Sequence, residues 1–271
     1  MVRQYYVEQV TALSEQELQT VFQTVVPPAC LLGGWAVHLH VNEGFQAEYG
    51  RPYIGSRDID VGVHVDADWS GEELRDAPVG RSLQRIEELG YTRSRFGFVQ
   101  NFNRETGQKI SEAAAADLPL YEVFEMFVDI IPDTTALDEF SEIFGFRPPA
   151  EPLLQQVFTG DRAAPLTDAV AWPVPTEVVI ADPAVLAVMK IRSVPDRKKE
   201  QKRVKDLADL HALLWYVTEY AEIRAQVCDL ATADELATLS DVVDDELVTA
   251  AGTLLQVDPE LVRASIDRLT G

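Results

Sequence analysis

Residues 29–42 change character within a few positions, and that change constrains the fold more than any other stretch. Ala29-Cys30-Leu31-Leu32 is a short apolar run of the kind that fills a buried strand. Gly33-Gly34 then turns the chain, and Trp35 to about Asn42 reads as a helix that stops near Gly44. Residues 14–25 ahead of this unit read as another helix, with Ser14 as N-cap and Glu17 completing a capping box. Leu18, Val21, Phe22 and Val25 give that helix an apolar face, and Pro27-Pro28 ends it. Downstream, Asp58-Ile59-Asp60-Val61-Gly62-Val63 is strand-like, 72–89 is helical up to Gly90, and 91–101 and 121–131 are strands, the last broken by Pro132. The order is helix, strand, helix, strand, helix, strand, strand. It predicts an α/β (α+β) fold in which a mixed β-sheet carries flanking helices.

The pattern shifts after about residue 133. Pro148, Pro149, Pro152, Pro165, Pro173 and Pro175 punctuate loops and short strands. Asp182-Pro183 then sets an N-cap followed by proline at the first helical position, opening a helix to about Val194. A second helix, 196–218, buries Val204, Leu207, Leu210, His211 and Leu214 at helical spacing, and 219–269 reads as two or three more. The 271 residues therefore divide into a catalytic-type sheet domain, 1–150, and a mainly helical C-terminal domain, 151–271, with the boundary inside 150–175.

Composition removes several function classes. No apolar run approaches the ~18–20 residues of a membrane-spanning helix, and Met1-Val2-Arg3-Gln4-Tyr5-Tyr6 lacks a signal-peptide layout. Cys30 and Cys228 form no CxxC pair, so neither a disulfide framework nor a cysteine-built zinc site is expected. His38, His40, His64 and His211 have no zinc spacing and read as structural. These features predict a cytoplasmic protein with no membrane partner.

Charge narrows the field further. The chain has 45 acidic and 23 basic residues, a net of −22, and only six of the basic residues are Lys. Acid excess with scarce lysine marks an acidic, halophilic type of surface, since high salt screens its self-repulsion. Most of that surface should repel nucleic acid. Residues 190–205 are the exception: eight basic and two acidic groups give +6, leaving −28 for the remainder. A positive segment on so acidic a chain asks for an anionic partner.

The carboxylates carry the chemistry. In a strand, Asp58 and Asp60 would point to one face while Ile59 and Val61 join the core on the other. Two adjacent carboxylates repel, and Mg²⁺ is their natural counter-ion because it takes oxygen ligands and keeps waters for a phosphate-bearing substrate. Asp129, set in the apolar run Phe127-Val128-Asp129-Ile130-Ile131, needs a partner and would supply a third ligand from a neighbouring strand. Gly33-Gly34, at a strand-to-helix junction, lets backbone N–H groups approach a phosphate.

Taken together, Gly33-Gly34, Ser56-Arg57-Asp58-Ile59-Asp60-Val61 and Val128-Asp129-Ile130 resemble the nucleotidyltransferase superfamily that includes DNA polymerase β. The pattern is most similar to the AbiEii/AbiGii toxin group, through Lys190 in Val188-Met189-Lys190-Ile191-Arg192 and through Lys205-Asp206-Leu207-Ala208-Asp209-Leu210. The resemblance spans about 30–215. It implies that Asp58, Asp60 and Asp129 bind Mg²⁺, that Gly33, Gly34, Ser56, Arg57 and Lys190 bind the nucleoside triphosphate, and that Asp206 is the acid of the second domain. Lys202–Asp206 and Lys205–Asp209 also have the spacing of ordinary helix-stabilising pairs. The implied activity is transfer of a nucleoside monophosphate from an NTP to an acceptor hydroxyl, on RNA (a tRNA end above all) or on protein, with a cognate antitoxin as partner. Two other readings share the motifs: nucleotide transfer to a small molecule of the aminoglycoside type, and a non-catalytic nucleotide-binding or antitoxin-interacting module.

Overall fold

A computed structural model describes Tyr6, 8–160 and 162–271. The chain divides into two compact units: a sheet unit, Glu8–Trp35 with Gly55–Ala181, and a helical unit, Ala36–Ile54 with Asp182–Gly271 and Tyr6. The sheet unit thus runs past 150 to Ala181, and residues 36–54 leave it for the helical unit.

The sheet unit begins with α1 (Glu8–Thr24) and β1 (Ala29–Leu32), followed by α2 (Gly33–Tyr49), whose first three residues belong here and whose remainder belongs to the helical unit. Next come β2 (Ile59–Val63), α3 (Gly71–Asp76), α4 (Pro78–Glu88), β3 (Thr92–Arg93), β4 (Gly97–Asn103), β5 (Lys109–Ile110), α5 (Glu112–Ala116) and β6 (Val123–Pro132). The unit closes with α6 (Asp138–Phe144), α7 (Gln155–Thr159), β7 (Ala163–Pro165) and β8 (Val178–Ala181). Among the described residues the strands form one eight-stranded sheet, ordered β3-β4-β6-β2-β1-β8-β7, with β5 added to β4. It is mixed, as expected: β1 pairs parallel with β8 and β2 with β6, and the other pairings are antiparallel.

Alternation makes β6 two-sided. Phe124, Met126, Val128, Ile130 and Pro132 are buried, while Val123, Glu125, Phe127, Asp129 and Ile131 are half-buried or exposed. Strand geometry sends these two sets to opposite faces. One face is core; the other carries the acid.

Several local expectations are corrected. Ser14 is no N-cap, because α1 starts six residues earlier at Glu8; Ser14 and Glu17 are buried within it. The capping box instead closes at Ser70–Glu73 and at Thr232–Glu235. α2 does not stop at Gly44. That glycine sits inside the helix, where a Cβ would lie 2.3 Å from the Tyr216 carbonyl oxygen. The helix at 72–89 is two helices, because proline holds the preceding Ala77 extended (ψ 161°) and starts α4. The strand at 91–101 is the pair β3 and β4, and β6 includes Pro132 rather than breaking before it.

The helical unit adds α8 (Pro183–Asp196), α9 (Glu200–Tyr216), α10 (Tyr220–Leu230), α11 (Ala233–Val242), α12 (Asp245–Leu255) and α13 (Pro259–Thr270). Asp182 caps α8 by accepting the Val185 N–H at 2.7 Å, as the sequence predicts. The acidic tail makes four helices rather than two or three. α8 and α9 pack on each other, with α10 and α11 against α8, and α12 against α9. Val204, Leu207, Leu210, His211 and Leu214 are all buried on α9. Burying each of those leucines contributes about 1.5–3 kcal/mol relative to exposure, so packing rather than helix propensity holds α9.

Candidate active site

In the sheet unit the decisive geometry is a register. β2 and β6 run parallel with Asp60 opposite Asp129. In-register neighbours lie about 4.8 Å apart across the ladder and project to the same face. The row continues to Gly97 of β4 beyond Asp129 and to Leu32 of β1 beyond Asp60. Neither flanking position is basic. Like charges directly opposite one another on a sheet are destabilising.

Gly33, the residue after Leu32, completes the arrangement. Its φ is +65°, a conformation that favours glycine, and a Cβ placed there would lie only 1.7 Å from Asp60 Oδ2. The Asp60 carboxylate therefore occupies the space that any side chain at 33 would need, at the first turn of the 17-residue α2. The positive end of the helix macrodipole favours an anion there.

Asp58 sits in the bend just ahead of β2, not within the strand. Ser56 and Arg57 serve the same bend. The buried Ser56 hydroxyl donates to the Asp58 carbonyl at 3.1 Å, and the Arg57 guanidinium lies 5.0 Å from the centre of the Phe124 ring. Among the described residues no three His, Cys, Asp or Glu side chains are grouped to hold a metal ion by themselves. The Asp60–Asp129 pair fits Mg²⁺ in its other usual mode, one or two carboxylates completed by waters and substrate phosphate oxygens.

The remaining site residues of the sequence analysis lie in the helical unit, where they form a buried ion network between α8 and α9. Lys190 Nζ is 2.5 Å from Asp206 Oδ1 and 2.8 Å from Asp209 Oδ2. Lys205 Nζ pairs with Asp209 Oδ1 one turn away. Asp206 Oδ2 accepts from Arg197 Nε at 2.6 Å and from Ser193 Oγ at 3.0 Å; Asp209 Oδ1 accepts from Tyr53 Oη at 2.8 Å. Burial alone would lower the Lys190 ammonium, but the two carboxylates outweigh it and hold its pKa above the usual value. Burial would raise Asp206, yet Lys190 and Arg197 bring it down to about 2. Lys205 is lowered, by burial first and by repulsion from Lys190, against the pull of Asp209.

This network absorbs much of the basic segment. Lys190 and Lys205 are buried, Arg197 is paired with Asp206, Arg192 is paired with Glu235 at 2.7 Å, and Arg203 donates to the Val242 carbonyl at 2.6 Å. Lys198 and Lys199 stay exposed. The +6 segment is therefore in part a scaffold: two of its eight basic groups are buried, and Arg192, Arg197 and Arg203 are held by Glu235, Asp206 and the Val242 carbonyl.

The structure thus assembles Gly33, Asp60 and Asp129 in one unit, with Asp58, Ser56 and Arg57 on the adjoining bend, and Lys190 with Asp206 in the other. Sequence reasoning missed Tyr53 and Ser193, which no local spacing ties to α9. It also missed a polar pair at the opposite end of β2, where His64 Nδ1 and the buried Asp133 Oδ2 are 2.7 Å apart. The buried Cys30 thiol is pushed up by burial, in keeping with a packing role. No protein-family model, curated protein or solved structure matches the chain. Among the described residues no helix is long and apolar enough to cross a membrane.

Proposed function

We propose that the chain is an Mg²⁺-dependent nucleotidyltransferase, a cytoplasmic enzyme that transfers a nucleoside monophosphate from an NTP to an acceptor hydroxyl. One observation carries the reading: two carboxylates in register on adjacent parallel strands, Asp60 and Asp129, beside a glycine-opened helix start at Gly33. Bound there, Mg²⁺ would supply charge neutralisation at the triphosphate and activation of the attacking hydroxyl. Asp60 and Asp129 hold and orient the cation. The glycine-opened start of α2 would let phosphate oxygens approach its first-turn backbone N–H groups beside Asp60. Asp58 stands at the entrance to β2, where a third carboxylate would meet the same charge. Lys190 is the candidate counter-charge for the leaving pyrophosphate and Asp206 its partner, so Lys190 would have to exchange a carboxylate for a phosphate.

The similarity to the AbiEii/AbiGii toxin group extends the proposal to the acceptor: RNA, tRNA above all, or a protein, with a cognate antitoxin as regulator. The test is incubation with each α-labelled NTP, Mg²⁺ and total tRNA, beside Asp60→Asn and Asp129→Asn. Label transfer by the wild type that both variants lose supports the reading. Transfer that survives both substitutions removes it.

A further inference from the structure

We propose, on the nucleotidyltransferase reading, that Ser14 and Trp35 are positioning residues that lock the acid-bearing bend at 55–58 to the first turn of α2. Trp35 lies two residues beyond Gly33, and its indole Nε1–H donates to Ser14 Oγ at 2.9 Å. The Ser14 hydroxyl donates onward to the Arg57 carbonyl at 3.2 Å, immediately before Asp58. Ser14 is fully buried and Trp35 nearly so. A serine hydroxyl has one proton to give and two lone pairs. Its single proton is thus committed to the bend and one lone pair to the helix start. The indole also floors the bend: a Cβ at Gly55 would lie 2.9 Å from Trp35 Cη2 and 3.0 Å from Thr11 Cβ. The Ser56 hydroxyl bond to the Asp58 carbonyl stiffens the same four residues.

These contacts join two segments distant in sequence. Gly33, against which Asp60 packs, sits on one; Asp58 and the entry to β2 sit on the other. Neither Ser14 nor Trp35 needs to touch substrate. Their effect is on placement, and a displacement of about 1 Å at reacting groups can reduce turnover by ~10²-fold.

The experiment compares Ser14→Ala, Ser14→Thr and Trp35→Phe with Ser82→Ala. Ser82 is a buried serine of the same unit that accepts the Val26 N–H at 2.8 Å and touches neither acid-bearing segment. In Mg²⁺ and the NTP that the wild type uses, Ser14→Ala and Trp35→Phe should lose about 10- to 100-fold in kcat with little change in KM. Ser14→Thr, which keeps the hydroxyl, should recover most of that loss, and Ser82→Ala should keep its kcat. Equal kcat in Ser14→Ala and Ser82→Ala would overturn the proposal. Amide exchange at 58–61 gives a second measurement that needs no activity and remains usable if the wild type transfers nothing. Exchange about tenfold faster in Ser14→Ala than in Ser82→Ala upholds the lock even where the enzymatic reading has failed. Equal exchange overturns it. If Ser14→Ala does not fold, Trp35→Phe carries both readouts.

Discussion

The two acid pairs of this protein are built on opposite terms. Asp206 and Asp209 sit on one helix face and are answered by Lys190, Lys205 and Arg197, three cations that compensate the burial of two carboxylates. Asp60 and Asp129 face each other across a β-ladder whose next positions are Gly97 and Leu32. A balanced network costs most when a single member is removed, because a buried charge is stranded. Asp60 and Asp129 are only half-buried, so removing one strands no fully buried charge. The same residue type therefore acts as scaffold in the helical unit and, on the proposed function, as a cation ligand in the sheet unit.

Breaking the sheet pair gives the largest effect. On the proposed function, Asp60→Ala should reduce nucleotide transfer by at least ~10³-fold while costing far less stability than the loss of a fully buried scaffold acid, since Asp60 is only half-buried. Labelled-NTP assays and urea melts on the same sample check both halves. A large loss of stability would place Asp60 with the scaffold acids.

Breaking the helical network should act in the opposite sense. Asp209 is fully buried, and Asp209→Ala strands Lys205 and the Tyr53 hydroxyl. The expected loss is about 3–5 kcal/mol in denaturant titration. A loss below ~1 kcal/mol would contradict the charge-balanced account.

Acid sharpens the contrast, because the helical unit holds His211 and Asp206, both with depressed pKa values. His211 is lowered to about 4 by burial; its Nδ1 meets Ser265 Oγ at 2.9 Å and its Nε2 has no hydrogen-bond partner among the described residues. The unfolded chain takes up that proton near pH 6.5, so stability should fall by on the order of 2–3 kcal/mol between pH 6.5 and 4. Asp206 contributes stability above its unfolded value of 3.8, which is lost as pH falls through about 2. His211→Gln should reduce the fall in the first window, to which His38, also lowered by burial, contributes the rest, and leave the second, as read by denaturation at stepped pH.

The smallest effect expected is the change in ligand stabilisation on losing Lys190. Mg²⁺ with the correct NTP at 100 times Kd should add about 2.7 kcal/mol, and Lys190→Ala should reduce that gain. An undiminished thermal shift in the variant would remove Lys190 from the nucleotide site.

What the sequence made legible follows the same division. The β2 and β6 acids were readable because period-two alternation sets an acid against apolar neighbours. The strand–glycine–helix junction was readable because Gly33 is demanded by both φ and the Asp60 contact. The pattern Ser/Thr-x-x-Glu was ambiguous: it occurs at Ser14, Ser70 and Thr232, and it caps a helix only at the last two. Ser14 is drawn into the helix interior by long-range partners, Trp35 and Arg57, that no local spacing encodes. The basic segment was only partly legible for a related reason. Its charges were counted along the chain, whereas Asp206, Asp209 and Glu235 answer them in space. The extent of the sheet unit was hidden because β8 joins β1 across nearly 150 residues of chain.

Equilibrium binding of Mg²⁺, titrated in the presence of a non-hydrolysable nucleoside triphosphate, tests the central claim most directly. The wild type should bind the metal, and Asp60→Asn and Asp129→Asn should each weaken binding by at least about tenfold, with Asp206→Asn, if folded, nearer the wild type. Equal affinity in the wild type and both sheet variants would contradict the account.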